Sequence, residues 1–396
     1  MTGFEAAAAT AEYLRSIDPG REARAIAYTQ GAHWILLWAL LLKILADWLI
    51  LRMRLLERVR DGVQRTRLRP KLAAFCCVSV FLLANWVILL PWAIYAEWAR
   101  EISYGLSSQP LVPWIAQGAI VALFAALFLG LLATPVYALI RRSGRRWWRW
   151  SSLVVVVFAF VGIVVGPVAF GSLFNTAKPV PAGPVRTAVV ALARDAGIPS
   201  DRIVVSNSAS QTNRYTATVV GGPGFATIEL SDEMLRSGAD LAEVRAVVAH
   251  EIGHYVHHHL MILALVVAFL GTCGLWAVDR TFPYIARLAG RPDLSIGDPA
   301  GAPALHMALV TFMLLTSPII VTAQRAVEND ADMFGLSLAN EPSGAARSLL
   351  RTVDFRASRP SALEETLFYD HPSIAHRIER AMQWKAVHPG QEGALR

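Results

Sequence analysis

The chain has 396 residues, 55% of them hydrophobic and 17% charged, and carries a formal net charge of +7. Globular domains run nearer about 45–50% apolar and about 25% charged, so this composition excludes an ordinary water-soluble enzyme and points to a membrane protein. The three cysteines, Cys76, Cys77 and Cys273, lie in apolar runs without a CxxC pair, which excludes a disulfide framework and a cysteine zinc site.

In chain order, residues 1–29 are mixed polar, lack the short apolar core of a cleavable signal, and read as a soluble N-terminal segment. Apolar runs at 30–51, 73–96, 111–140 and 152–174 each approach the roughly 20 residues that cross a bilayer, giving a membrane domain over 30–174. Lys43 and Asp47 sit four apart inside the first run, where burial in lipid is costly; they are expected to pair and to face the bundle or a wet cavity. Tryptophans such as Trp34, Trp48, Trp92 and Trp147 cluster near span ends, as an interfacial belt does. The basic residues concentrate in two short loops, 52–71 and 141–149. That placement suits membrane topology and contact with anionic lipids, and no nucleic-acid motif accompanies it.

Residues 175–258 open on Lys178-Pro179-Val180-Pro181, then show a helical pattern at Val185–Ala196. Two strand-like stretches, Arg202–Ser206 and Ala226–Leu230, flank a polar loop, and a helix follows from Ser231. Two more apolar runs, 259–279 and 303–323, form a membrane hairpin. Residues 324–396 read as helices broken at Pro342, Pro360 and Pro372. The whole is mainly α: a polytopic membrane helical bundle with an inserted domain (175–396, interrupted at about 259–323) that contains a small β element.

The chemistry concentrates at His250-Glu251-Ile252-Gly253-His254, just ahead of the fifth run. Helical residues four apart share a face, so His250 and His254 can each point an imidazole nitrogen at one zinc ion. Glu251 is then placed to take a proton from water whose pKa the metal lowers toward about 7. Two histidines leave zinc short of a protein ligand. A third histidine six residues after the second is excluded because that position is Leu260, and His257, His258 and His259 read as a polar collar at the bilayer surface. The better third ligand lies just after the sixth run, where Glu328 and Asp332 are again four apart. Glu328 completes an open His₂Glu site, and Asp332 is expected to accept a hydrogen bond from a ligand histidine.

With these motifs in place, the chain resembles the type I CAAX prenyl endopeptidases, membrane gluzincins with HExxH before a pair of spans and ExxxD after it. Further likenesses are Phe170–Asn175 followed by Pro179-Val180-Pro181, the loop Ser208–Tyr215, Ile228–Asp232, and Asp370-His371-Pro372 leading to His376-Arg377-Ile378. The resemblance implies that His371 and Arg377 stabilise the oxyanion formed at the peptide carbonyl, and that Asn213 donates to the substrate backbone or the same oxyanion. Arg214 departs from the small residue usual after that asparagine. Four spans precede the soluble segment, one fewer than in eukaryotic members.

The implied activity is zinc-dependent hydrolysis of peptide bonds in membrane-associated or prenylated CAAX-type proteins. Its nearest alternative is a membrane quality-control peptidase of the same clan, and a catalytically inactive scaffold is the outlying one. The implied location is the cell (inner) membrane. The positive-inside rule puts the arginine-rich loops in the cytoplasm and the protease domain outside it, whereas the resemblance puts that domain in the cytosol.

Overall fold

The structure, a computed structural model, describes residues 4–174, 177–199, 202–207, 215–221, 226–236 and 240–393. Helix α1 (Ala6–Arg15) leads to α2 (Pro19–Arg52), which starts on a proline, with the Asp18 side chain accepting from the Arg21 amide. Pro at the first turn and a capping aspartate satisfy amides that have no intrahelical partner. The short α3 (Leu55–Gln64) precedes α4 (Pro70–Ala93), which runs through a π-helical turn at Ile94–Ala99 into α5 (Arg100–Ser103). Helices α6 (Leu111–Ser143) and α7 (Trp147–Phe174) are separated by a 3₁₀ turn at Gly144–Arg146 and pack against each other.

Strand β1 (Ala177–Pro179) and helix α8 (Pro184–Asp195) follow, then β2 (Ile203–Ser206), β3 (Ala217–Val220), β4 (Thr227–Ser231) and the short α9 (Glu233–Arg236). Helix α10 (Leu241–Val256) carries the HExxH residues, α11 (His259–Leu288) enters the membrane and α12 (Ala302–Ala339) returns. The chain ends with α13 (Pro342–Arg351), α14 (Ala362–Phe368) and α15 (Ile374–Val387), each starting at or just after one of the expected proline breaks.

Among the described residues five stretches are long and apolar enough to cross a membrane: Pro19–Arg52, Pro70–Ser103, Leu111–Phe160, His259–Leu288 and Pro299–Ala339. The turn at Gly144–Arg146 divides the third between α6 and α7. The helices outrun the apolar runs seen in the sequence because hydropathy marks only the lipid-facing part. Helix α12 continues well past residue 323 and so carries Glu328 and Asp332 out of the apolar region. The arginine-rich loops gather at the end of the bundle away from the HExxH helix. There Arg60 pairs with Asp298, and Arg291 pairs with Glu57 and Asp293.

The sheet has the order β1-β2-β4-β3, with β2 and β4 parallel and both outer pairs antiparallel. The two central strands are those the sequence suggests. The edge strands are additions: β1 is three exposed residues ending in a proline, and β3 lies in what reads as a polar loop. Ile228 and Leu230 of β4, Val189 and Leu192 of α8, and Val244, Val248 and Ile252 of α10 form one buried core. Helix α10 is thus clamped between the sheet and α12.

Two features differ from expectation. The first 29 residues do not stand apart. Ala6, Ala9 and Tyr13 of α1 and Ala25 of α2 pack with Ala346 and Leu349 of α13 and Ile374 and Ile378 of α15, so the amino terminus is built into the C-terminal helices. Asp47, fully buried, takes its hydrogen bonds from Asn85 Nδ2 (2.8 Å) and His306 Nδ1 (2.7 Å), while Lys43 is exposed. A buried carboxylate needs partners that reach it, and here neighbouring helices supply them in place of the residue one turn earlier.

Candidate metal centre

Helix α10 begins where the Asp240 side chain accepts from the Ala242 amide, and one face of it lies against α12 at very short range. The approach depends on glycine. A Cβ on Gly335 would stand 2.9 Å from the His250 nitrogen and 3.1 Å from its Cα, and one on Gly253 would stand 3.2 Å from Ala331 Cα. With no side chain at either position, the HExxH helix and the ExxxD helix meet backbone to backbone.

That contact brings three ligand-type residues together. His250 Nε2 and His254 Nε2 are 3.1 Å apart. Glu328 places Oε2 3.3 Å from His250 Nε2 and Oε1 3.4 Å from His254 Nε2. Donors about 2.0–2.1 Å from a tetrahedral zinc ion are separated by roughly 3.3–3.4 Å along each edge, so these spacings fit three corners of such a site. Glu328 is buried, and its Oε2 makes no hydrogen bond among the described residues, although an uncompensated buried carboxylate oxygen is costly. A cation between these atoms removes that cost.

Around the three, Asp332 Oδ1 lies 3.0 Å from His250 Nδ1, off the line of a well-aligned hydrogen bond. Asp332 is gripped in turn by Arg377, with Nε at 2.8 Å and Nη2 at 2.6 Å, and Arg380 adds a contact at 3.4 Å. His371 Nε2 points at Glu328 Oε2 from 3.2 Å, while its Nδ1 is held by Asp370 at 2.8 Å. The loop that presents His371 is tied to α12 by Arg325, which donates to the carbonyls of Glu365 and Tyr369 at 2.6 Å each. A cavity of about 260 Å³ is lined by His250, Glu251, His371 and Arg377, and on another wall by Tyr215, Thr216 and Ala217 at the edge strand β3.

Electrostatics follows burial and neighbours. Burial pushes the Glu251 carboxyl above the ordinary carboxylate range, against the pull of His250 and His254. Burial also disfavours the imidazolium of His250, but Asp332 and Glu328 outweigh it and raise that group to about 10. His371 is held below the ordinary histidine value, chiefly by burial and despite Asp370.

The structure therefore groups His250, His254 and Glu328 and lines the adjoining cavity with His250, Glu251, Asp332, His371 and Arg377, whereas Asn213 lies outside the described residues. Asp370 and Arg325 are additions, recognisable only once His371 has a place. His259 is another: it is buried, with Nδ1 3.0 Å from His254 Nδ1 and Nε2 3.0 Å from Asp330 Oδ2, not part of a surface collar.

A bundle of apolar helices carrying an HExxH helix, a facing glutamate and a cavity against a sheet edge defines a membrane-embedded metallopeptidase. Comparison with known proteins gives the particular family. Residues 179–385 match the model of peptidase family M48, and residues 7–176 match the CAAX prenyl protease N-terminal model, described as five membrane helices. The chain belongs to peptidase family M48. It is 27% identical over 318 residues to the uncharacterized metalloprotease YhfN of Bacillus subtilis, covering 77% of this chain and 72% of that one. It is 24% identical over 302 residues to the CAAX prenyl protease 1 homolog of Arabidopsis thaliana, covering 73% and 68%. Its fold matches the crystal structure of S. mikatae Ste24p with a TM-score of 0.74 at 18% identity, covering 92% of this chain and 89% of that one. The protein is an integral membrane metalloprotease that uses a metal ion and acts on peptide or protein substrates.

Proposed function

We propose that this protein is a zinc endopeptidase of the cell membrane that cleaves membrane-associated proteins, prenylated CAAX-type proteins in particular. The observation that carries the reading is the convergence of His250, His254 and Glu328 at tetrahedral spacing, with Glu251 beside His250 on the wall of the adjoining cavity. Those three residues would hold the zinc, which when bound supplies Lewis acidity and lowers the pKa of water.

The remaining chemistry belongs to the chain. Glu251 accepts the proton of the attacking water on its carboxylate and returns it to the leaving amine; burial, which raises its pKa, suits a group that must both take and give a proton near neutral pH. His371 turns Nε2 toward the oxygen that becomes negative while Asp370 accepts the Nδ1 proton; it donates from Nε2 as the imidazolium, the doubly protonated form that Asp370 and the developing oxyanion both favour. Arg377 adds positive charge to the same wall, and its two bonds to Asp332 keep that carboxylate against His250. Asn213 is assigned to the substrate backbone or the oxyanion on the strength of the resemblance. Strand β3, the outer strand of the sheet among the described residues, offers an extended peptide an edge to pair with near Glu251.

The CAAX part of the proposal draws support from the relatives' names and from the matching N-terminal family model. The arginine-rich loops at the far end of the bundle suit contact with anionic lipid headgroups. Cleavage of a farnesylated CAAX peptide and its unprenylated twin tests it: the account expects a higher kcat/KM for the farnesylated peptide. Equal values would remove the prenyl preference and leave a general membrane-protein peptidase.

A further inference from the structure

Beside the cavity stands a second group of metal-ligating side chains that the proposed chemistry does not use. His257 and His259 flank His258, which has a left-handed φ of 54°. Few residues other than glycine adopt that conformation, histidine being among those that do more often. Here the turn ends α10, begins α11 and aims both flanking imidazoles at Asp330 of α12. His257 Nδ1 and His259 Nε2 both meet Asp330 Oδ2, the latter at 3.0 Å, and the three ligand atoms lie within 4.8 Å of one another. His259 is buried, whereas His257 and Asp330 are exposed, so the group opens to solvent on one side. Two imidazoles and a carboxylate with an open side form a donor set suited to zinc and similar divalent ions.

This group is wired to the metal centre through a single contact, His259 Nδ1 to His254 Nδ1 at 3.0 Å. One proton lies between those two nitrogens, and each neutral ring carries one in all. With no ion at Asp330, His259 donates from Nε2 to Asp330 and accepts at Nδ1 from His254. His254 then has a free lone pair on Nε2, facing Glu328. With an ion at Asp330, His259 gives its Nε2 lone pair to that ion, and its proton sits on Nδ1 and points at His254 Nδ1. The proton of His254 is then on Nε2, the atom that faces His250 and Glu328. We propose that His257, His259 and Asp330 form a second, inhibitory site for zinc or a similar divalent ion, whose occupancy forces His254 into the tautomer that cannot hold the catalytic metal. The inhibition, though not the second site, rests on His254 being a ligand of the catalytic zinc.

The test is zinc binding and peptidase activity on the purified full chain, titrated with zinc chloride from the one-zinc state. Wild type takes up a second, weaker zinc, and its activity falls at least tenfold as that site fills. His257→Ala binds one zinc, keeps the basal activity and is not inhibited over the same range. His257→Gln, whose amide still donates to Asp330, repeats the result if the alanine variant is poorly folded. His250→Ala, which disrupts the catalytic site, still binds one zinc, and the His250→Ala/His257→Ala double variant binds none. Equal zinc binding by wild type and His257→Ala overturns the second site. Equal inhibition of the two overturns the regulatory role. If His250→Ala keeps both zinc ions, it is the catalytic assignment that falls, and the coupling through His254 falls with it.

Discussion

Gly335→Ala asks whether the metal centre depends on backbone contact between α10 and α12. The added Cβ would sit 2.9 Å from the His250 nitrogen, 3.1 Å from its Cα and 3.4 Å from the Ala249 carbonyl carbon. All three are backbone atoms within a helix, so none can swing aside, and restoring ordinary contact requires the helices to part by about 0.5 Å or more. Overpacking of this kind costs about 1–3 kcal/mol, while replacing a mid-helix glycine by alanine returns about 1 kcal/mol. The net loss of stability is therefore small, about 0–2 kcal/mol by those values, and shifts Tm by a few degrees. Function is more sensitive, because the displaced residue is His250 and sites of this kind tolerate errors of only about 0.5 Å. A fall in kcat/KM of about 10–100-fold, with weaker zinc binding, is expected on the scale that misplacement by an ångström sets. Gly271→Ala is the control, since its Cβ would meet nothing within 4 Å. Tm, zinc affinity and kcat/KM measured on both variants decide the matter. A Gly335→Ala enzyme with wild-type activity and zinc affinity would refute the close-approach argument.

Other expectations follow from single contacts. Arg377→Ala leaves the largely buried carboxylate of Asp332 without its two-point partner, a loss of about 3–5 kcal/mol for such pairs; detergent-solubilised protein should melt markedly earlier, and an unchanged Tm would dismiss the ion pair as a support. His371→Ala should lower kcat about 10²–10³-fold with little change in KM, as loss of an oxyanion donor does; a variant that instead loses zinc and unfolds would make His371 structural. Reporter fusions at residue 60 and residue 396 should report opposite sides of the membrane, since the loop that carries Arg60 lies at the far end of the bundle from the HExxH helix. The same side for both would contradict that placement.

The grouping of candidate ligands was readable because they obey a helical repeat. His250 with His254, and Glu328 with Asp332, are each four apart, and the apolar runs between them show that a hairpin returns one helix to the other. What periodicity could not show is the consequence of a broken repeat. His258 in a left-handed conformation redirects the chain, so His259, five residues on, meets His254 where an uninterrupted helix would have offered His258. Short edge strands escaped for a related reason: β1 and β3 have three and four residues, too few for alternation to register, and hydrogen bonding to buried neighbours defines them. Asp47 illustrates the third limit, since a same-helix pair with Lys43 is visible in sequence but partners on two other helices are not. The glycines that let α10 and α12 touch were equally silent, because a small residue in a helix signals close packing only after its neighbour is known.

The most direct test of the central claim is zinc content and peptide hydrolysis measured together on wild type, Glu328→Ala and Glu251→Gln. Wild type should hold about one tightly bound zinc per chain, Glu328→Ala should lose both zinc and activity, and Glu251→Gln should retain zinc with at least about 10²-fold less hydrolysis. Full zinc in Glu328→Ala, or an active, zinc-loaded Glu251→Gln, would contradict it.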